Sequence, residues 1–279
     1  MQKRCVTILF AVIFFDSCVH ARPAETVPTP SGLISPAAQE LAKLKGQVMS
    51  ADYRADLKEL ARLQNELAQW PKDRELAYLA RYWDGFASWR IAINGANHDM
   101  KPEEITKSLK SASASFYRAI QLKDDFADAY AAASSINGWL AKIQMDSDHD
   151  MVAVTERVSL AYALLARATK LEPANPRVLW IKGGFLQFAP GGSLERAIDV
   201  YRQMLEQAER RSVDMTSPLP DWGKPEALMS LAYAHLSQTP PDLALARDEA
   251  STALKLVPEW SYLRDTLIPQ IEQRLRAAQ

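Results

Sequence analysis

The sequence predicts an all-α chain of helical hairpins stacked in a row, and three observations carry this. Over residues 159–201 the apolar side chains keep one helical register, with Ala161, Leu165, Ala168 and Leu171 at steps of four, three and three. Helix breakers fall between the stripes, at Pro173, at Asn175 with Pro176, and at Pro190, Gly191 and Gly192. The steps return near the C-terminus, where Ala246, Ala250, Ala253 and Leu256 precede Pro258.

The elements follow in order. Lys3 and Arg4 precede a ten-residue apolar run over residues 6–15, and Val19, His20 and Ala21 suit signal-peptidase cleavage. Residues 1–21 are therefore expected to be an export signal, and the protein periplasmic or secreted. A run of ten is half of the ~20 apolar residues that span a bilayer, and no later run is longer, so no transmembrane segment is expected. Ser17 and Cys18 offer an alternative: a lipid anchor at Cys18 would make the chain a membrane-anchored lipoprotein. Both cysteines, Cys5 and Cys18, lie inside this segment, so a chain cleaved after Ala21 has no disulfide and is held by packing alone. Removing Lys3, Arg4 and Asp16 from the 33 basic and 34 acidic residues leaves 31 and 33, without a basic run. Nucleic-acid binding requires clustered Lys and Arg, so that class is excluded.

Residues 22–36, with Pro23, Pro28, Pro30 and Pro36, read as an unstructured tether. A single helical domain is expected over 37–279. Two helices over 37–71 form an N-terminal cap, with Leu41, Leu44 and Val48 on one stripe and Tyr53, Leu57, Leu60 and Leu67 on the next. Repeats run over 73–258, and a capping helix carrying Trp260, Leu263, Leu267 and Ile271 runs over 259–276. Proline and acids open a helix at Pro102, Glu103 and Glu104, as the helix dipole prefers. Asn175 caps the helix after Pro173, and Ser193 caps the one after Pro190. Residues 211–224 hold Pro218 and Pro220, which exclude helix, and Trp222, which is expected to plug a seam between repeats.

The register of Ala161, Leu165, Ala168, Leu171 and Pro173 resembles the second helix of the tetratricopeptide repeat (TPR), and Gly183 falls where the following first helix has its glycine. Ala246, Ala250, Ala253, Leu256 and Pro258 form a second copy, with Leu228, Leu231 and Ala232 on its first helix. Ala112, Phe116, Ala119 and Leu122 form a weaker one, with Asp124 in place of the proline. The spacings of 49 residues from Ala119 to Ala168 and 85 from Ala168 to Ala253 exceed the standard repeat of about 34, so the resemblance implies a TPR-like solenoid with lengthened loops. The chain also resembles exported bacterial TPR proteins such as the T component of TRAP transporters.

Functional candidates sit on the inward helices. The helix over 73–93 carries Tyr78, Tyr82, Trp83, Phe86 and Trp89, and a narrow polar stripe of Arg81, Asp84 and Ser88. Its aromatic faces read as core or as one wall of a ligand groove. Asn137 places one amide on the apolar stripe of Phe126, Tyr130, Ala133 and Leu140, where it reads as a bonded core amide or a ligand contact. First helices line the concave side of a solenoid, so Arg81, Tyr82, Asp84, Ser88, Trp89 and Asn137 are the expected contacts for a protein or peptide partner. Asp146, Asp148 and Asp150 open like a calcium loop, but Met151 and Arg157 occupy the positions where glycine and glutamate are needed. The loops holding His98 and Asp99 and holding residues 146–150 are expected to be neighbours on one edge, but no bound metal and no cofactor are expected. No nucleophile elbow, phosphate loop or zincin motif is present, and His235 sits on the stripe of Leu228 and Leu231 as a core residue. The expected function is an exported scaffold and not an enzyme; the alternative is a small-molecule-binding accessory protein of a transport system. Oligomeric state is not written in the sequence.

Overall fold

The computed structural model describes residues 35–70, 73–147 and 150–278. The export signal, Cys18 with its lipid-anchor alternative, and residues 22–34 of the tether lie outside the described residues, as do Pro71, Lys72, Asp148, His149 and Gln279. Among the described residues every regular element is helical, and no helix is long and apolar enough to cross a membrane.

Local chemistry sets most helix ends. α1 (Pro36–Tyr53) starts where Ser35 accepts a hydrogen bond from the Ala38 N–H, so Pro36 opens a helix and does not close the tether. Tyr53 ends α1 and does not open the next helix. The chain turns through Ala55 at φ 52°, and Asp56 caps α2 (Leu57–Ala68) by accepting from the Glu59 N–H. α3 (Ala77–Ala96) and α4 (Pro102–Leu122) form the first long hairpin, and α5 (Ala127–Ser147) and α6 (Met151–Leu171) the second. Asp150 accepts from the Val152 and Ala153 N–H groups, so this aspartate of the acidic loop serves as the α6 cap. Asn175 caps α7 (Pro176–Phe188), Ser193 caps α8 (Leu194–Glu209), and α9 (Lys224–Ser237) pairs with α10 (Leu243–Leu256), capped by Asp242. A π-helical stretch over Leu263–Leu267 leads into α11 (Ile268–Ala277).

The hairpins stack as TPR-like pairs, with α3, α5, α7 and α9 touching in sequence as an inner row. The α7–α8 pair closes tightly because a Cβ at Gly183 would collide with the Tyr201 ring. Trp260, Leu263, Leu267 and Ile271 bury against α9 and α10 and seal the C-terminal end. The extra length between repeats has two sources. From Ala119 to Ala168 it lies in α5 and α6, of 21 residues each, and from Ala168 to Ala253 it lies in the connection between Glu209 and Lys224.

That connection is a strap laid along α1, α3 and α7. Pro218, Pro220 and Trp222 are buried at alternate positions, as an extended segment requires. Side chains from three helices bind its backbone: Lys45 Nζ donates to the carbonyls of Asp214 (3.0 Å) and Leu219 (3.4 Å), Trp83 Nε1 to that of Pro218 (2.7 Å), and Arg177 Nη1 to that of Trp222 (3.4 Å). Lys45 also pairs with Asp221 at 2.8 Å, which offsets the cost of burying its ammonium. Trp222 packs on Phe86 and Trp180, so it does plug a seam, between α3 and α7.

Candidate partner-binding surface

The residues expected to meet a partner are mostly enclosed. Asp84 is 2 % exposed and accepts from Gln64 Nε2 of α2 (2.7 Å) and Ser115 Oγ of α4 (2.8 Å), with Arg81 Nη1 at 3.4 Å. Ser88 is equally buried, 3.4 Å from Ser111 Oγ. The polar stripe is thus an internal network between α2 and α4, and only Arg81 keeps part of its side chain in solvent. Tyr82 packs on Trp83, Phe116 and Phe126, and its hydroxyl accepts from Trp222 Nε1 at 3.3 Å. Burial pushes the Tyr82 phenol well above its ordinary range, with Asp128 adding to the shift. Trp89 packs between Phe116 and Trp180. Asn137 donates to the Ala133 carbonyl (2.8 Å) and to Tyr117 Oη (3.1 Å), a satisfied core amide.

The buried ionisable groups pair among themselves. Arg177 Nε meets Asp128 Oδ1 at 2.5 Å, with Asn175 donating to Asp128 and Glu172 alongside. Burial works against the Arg177 charge, but the Asp128 carboxylate outweighs it and the pKa is raised; burial and Asp128 also raise that of Glu172. His235 Nδ1 lies 2.7 Å from Glu249 Oε2, a bonded core histidine, and burial pushes the Glu249 carboxyl up. His98 Nδ1 contacts the Asn94 carbonyl at 2.7 Å, and among the described residues no three potential metal ligands cluster. An open cleft of about 830 Å³ beside Leu194 and Pro240 is lined by Glu195 and Asp242, of which Asp242 already caps α10 and Glu195 binds Ser193.

The exposed apolar surface lies elsewhere. Among the described residues, eight of thirteen exposed large hydrophobics fall between Trp139 and Phe188, and none precedes Leu122. α6 touches α7 far less than α4 touches α5 or α8 touches α9, so its flank stays open. Tyr162 of α6 meets Phe185 of α7 with ring centroids 5.2 Å apart, and one turn on, Phe188 meets Tyr233 of α9 at 6.0 Å. Phe185 also rests on α5, where a Cβ at Gly138 would lie 3.3 Å from its ring. The result is an aromatic row crossing three helices with its rings partly in water. Sequence reasoning missed this row because each member occupies an ordinary helical position; the available signal was the short α7, ended by Pro190, Gly191 and Gly192.

No family model and no curated protein matches the chain. Two solved structures resemble it in fold. One is a thermophilic TPR protein from Thermus thermophilus, 18% identical, covering 82% of this chain and 96% of that one with a TM-score of 0.49. The other is the HusA haemophore from Porphyromonas gingivalis, 17% identical, covering 75% of this chain and 98% of that one with a TM-score of 0.52. With the paired helices and the inner row, the fold is TPR-like: an all-α helical-repeat solenoid.

Proposed function

We propose that the chain is an exported, non-enzymatic scaffold that binds a protein or peptide partner through the open apolar strip on α5, α6 and α7. The observation that carries this reading is the concentration of exposed large hydrophobics between Trp139 and Phe188, eight of the thirteen among the described residues, whereas the other described helices expose only Leu122, Leu245 and Leu256. A contiguous exposed apolar patch is costly in water, and an interaction site is its usual reason. Export is supported by the apolar run behind Lys3 and Arg4. The non-enzymatic reading is supported by Lys45 with Asp221, Arg177 with Asp128 and His235 with Glu249, buried or partly buried groups that are engaged with one another. The test is site-specific photo-cross-linking in the producing cell, with benzoylphenylalanine at Phe188 or Tyr162 and at exposed Glu206 of α8 as control. Protein adducts from the first two positions and none from the third are expected. Equal adducts at all three, or none, would reject the surface.

The likeness to a haemophore supports a second reading, in which the strip takes a flat apolar ligand such as haem. The half-exposed rings of Tyr162, Phe185, Phe188 and Tyr233 supply stacking surface. A saturable Soret shift on haem titration, lost in Tyr162→Ala with Phe188→Ala, would favour it. A featureless titration would discard it.

A further inference from the structure

Helix length makes the α6–α7 seam unlike the others. α5 and α6 run 21 residues each, whereas α7 runs 13 and α8 16, so at 1.5 Å per residue the second pair stops about 8 to 12 Å short. Phe185 fixes the level at which the pairs meet, touching Tyr162 of α6 and lying over Gly138 of α5. Beyond that level α7 ends at Phe188 while the first pair continues. Met145 lies two turns past Gly138 on the same stripe of α5, and Val158 and Met151 lie one and three turns before Tyr162 on the same flank of α6. All three are exposed. They prolong the α6–α7 interface past the end of α7 and form an apolar ledge about two turns long.

We propose that this ledge seats the apolar face of an α-helix supplied by a partner protein, stacked end to end with α7; this rests on the reading that a protein partner uses the open strip. Continuity with the existing interface gives the position, since lower on the same flank the occupant is itself a helix. Backbone chemistry gives the conformation. An extended peptide arrives with unpaired N–H and C=O groups that need partners when buried, whereas a helix satisfies its own. The strap shows what an extended occupant requires here: Lys45, Trp83 and Arg177 all donate to its carbonyls. Among the described residues, the side-chain donors beside the ledge are already engaged. Lys142 at its edge is paired with Asp146, Thr155 Oγ1 donates to the Met151 carbonyl, and Arg157 Nε donates to Gln144. Methionine at two ledge positions gives a surface that adapts to the apolar face it meets.

The test uses the full chain and a fluorescent amphipathic peptide of about 16 residues, Leu and Ala on one face, Lys and Glu on the other, stapled as a helix. A control peptide of the same composition carries two prolines. Fluorescence anisotropy should show saturable binding of the stapled peptide, with the proline peptide and the Val158→Asp chain each weakened on the order of tenfold or more. Met145→Lys, on the other helix of the ledge, should weaken it too, and the melting temperature should stay within a degree or two. Equal binding of both peptides, binding of neither, or binding indifferent to Val158→Asp would overturn the inference. So would a concentration-dependent dimer by light scattering that Val158→Asp abolishes, which would make the occupant a second copy, or competition by phosphatidylglycerol vesicles, which would make it a lipid surface. The two readings fail separately: protein adducts at Phe188 that the stapled peptide does not compete away would sink the helix alone, whereas absence of adducts would sink the partner.

Discussion

The α3 region and the α5–α7 region use the same kind of residue for opposite ends. α3 holds five aromatic side chains in twelve residues, and four of them, Tyr82, Trp83, Phe86 and Trp89, are almost completely buried, closed in by α4, α5 and the strap. The α5–α7 region spreads six over three helices and leaves Trp139, Tyr162 and Phe188 exposed. Aromatic density therefore does not locate a binding face; what matters is whether the chain supplies its own cover. α3 has helices on its flanks and the strap beside it. The α6 flank has a neighbour eight residues shorter than itself, and nothing in the described residues covers the remainder.

This contrast can be broken most forcefully on its closed side. Asp128→Ala removes the carboxylate that holds Arg177 between α5 and α7 and leaves a buried guanidinium uncompensated; a loss of about 3 to 5 kcal/mol in urea unfolding is expected. Tyr82→Ala, which opens the aromatic cluster and frees Trp222 from its hydroxyl contact, should cost a comparable ~3 to 5 kcal/mol. Asp84→Ala leaves Gln64 and Ser115 without their acceptor, and about 1 to 3 kcal/mol should be lost; a solvent-facing Asp84 would show almost no change.

A pH test distinguishes a sealed core from a solvated one. Glu226 is buried beside Tyr53, whose hydroxyl donates to Oε1 at 2.5 Å, while Oε2 finds no partner among the described residues. Burial is the main cause of its raised pKa, opposed by the Tyr53 bond and Arg90, with Asp52 adding to the rise. A carboxyl raised on folding contributes stability that is complete below its unfolded pKa, about 4.3, and is lost as pH climbs through the folded value. Glu226→Gln should therefore raise the melting temperature at pH 7 relative to the parent, and the gap should close near pH 4. A gap independent of pH would mean that Glu226 is solvated. The smallest effect belongs to the open side: Val158→Ser and Phe188→Ser should change stability by no more than about 0.5 kcal/mol, since both side chains already meet water.

How much of this was legible in the sequence follows from the distance between partners. Helix starts at Pro102, Asn175 and Ser193 depend on residues within one turn and could be read directly. The turn at Ala55 could not, because neither glycine nor proline marks it. Burial of Asp84 was invisible because its donors lie 20 and 31 residues away, and a polar stripe looks the same whether it faces water or a second set of polar groups. Lys45 meets Asp221 across 176 residues, so the strap's course was equally out of reach, although the anchoring role of Trp222 was not. The open strip was hidden for a different reason: Tyr162, Phe185 and Phe188 fit a helical register, and their exposure comes from a neighbouring helix being short.

The contrast between the two regions is tested most directly by hydroxyl-radical footprinting of the unmodified chain read by mass spectrometry, because oxidation follows side-chain exposure. Met145, Met151, Tyr162 and Phe188 should oxidise on the order of tenfold faster than Tyr82, Trp83, Phe86 and Trp89 after correction for intrinsic reactivity, and the first group should slow when the cross-linked partner is bound. Comparable rates in the two groups, or a partner that protects α3 and leaves Tyr162 and Phe188 reactive, would contradict the account.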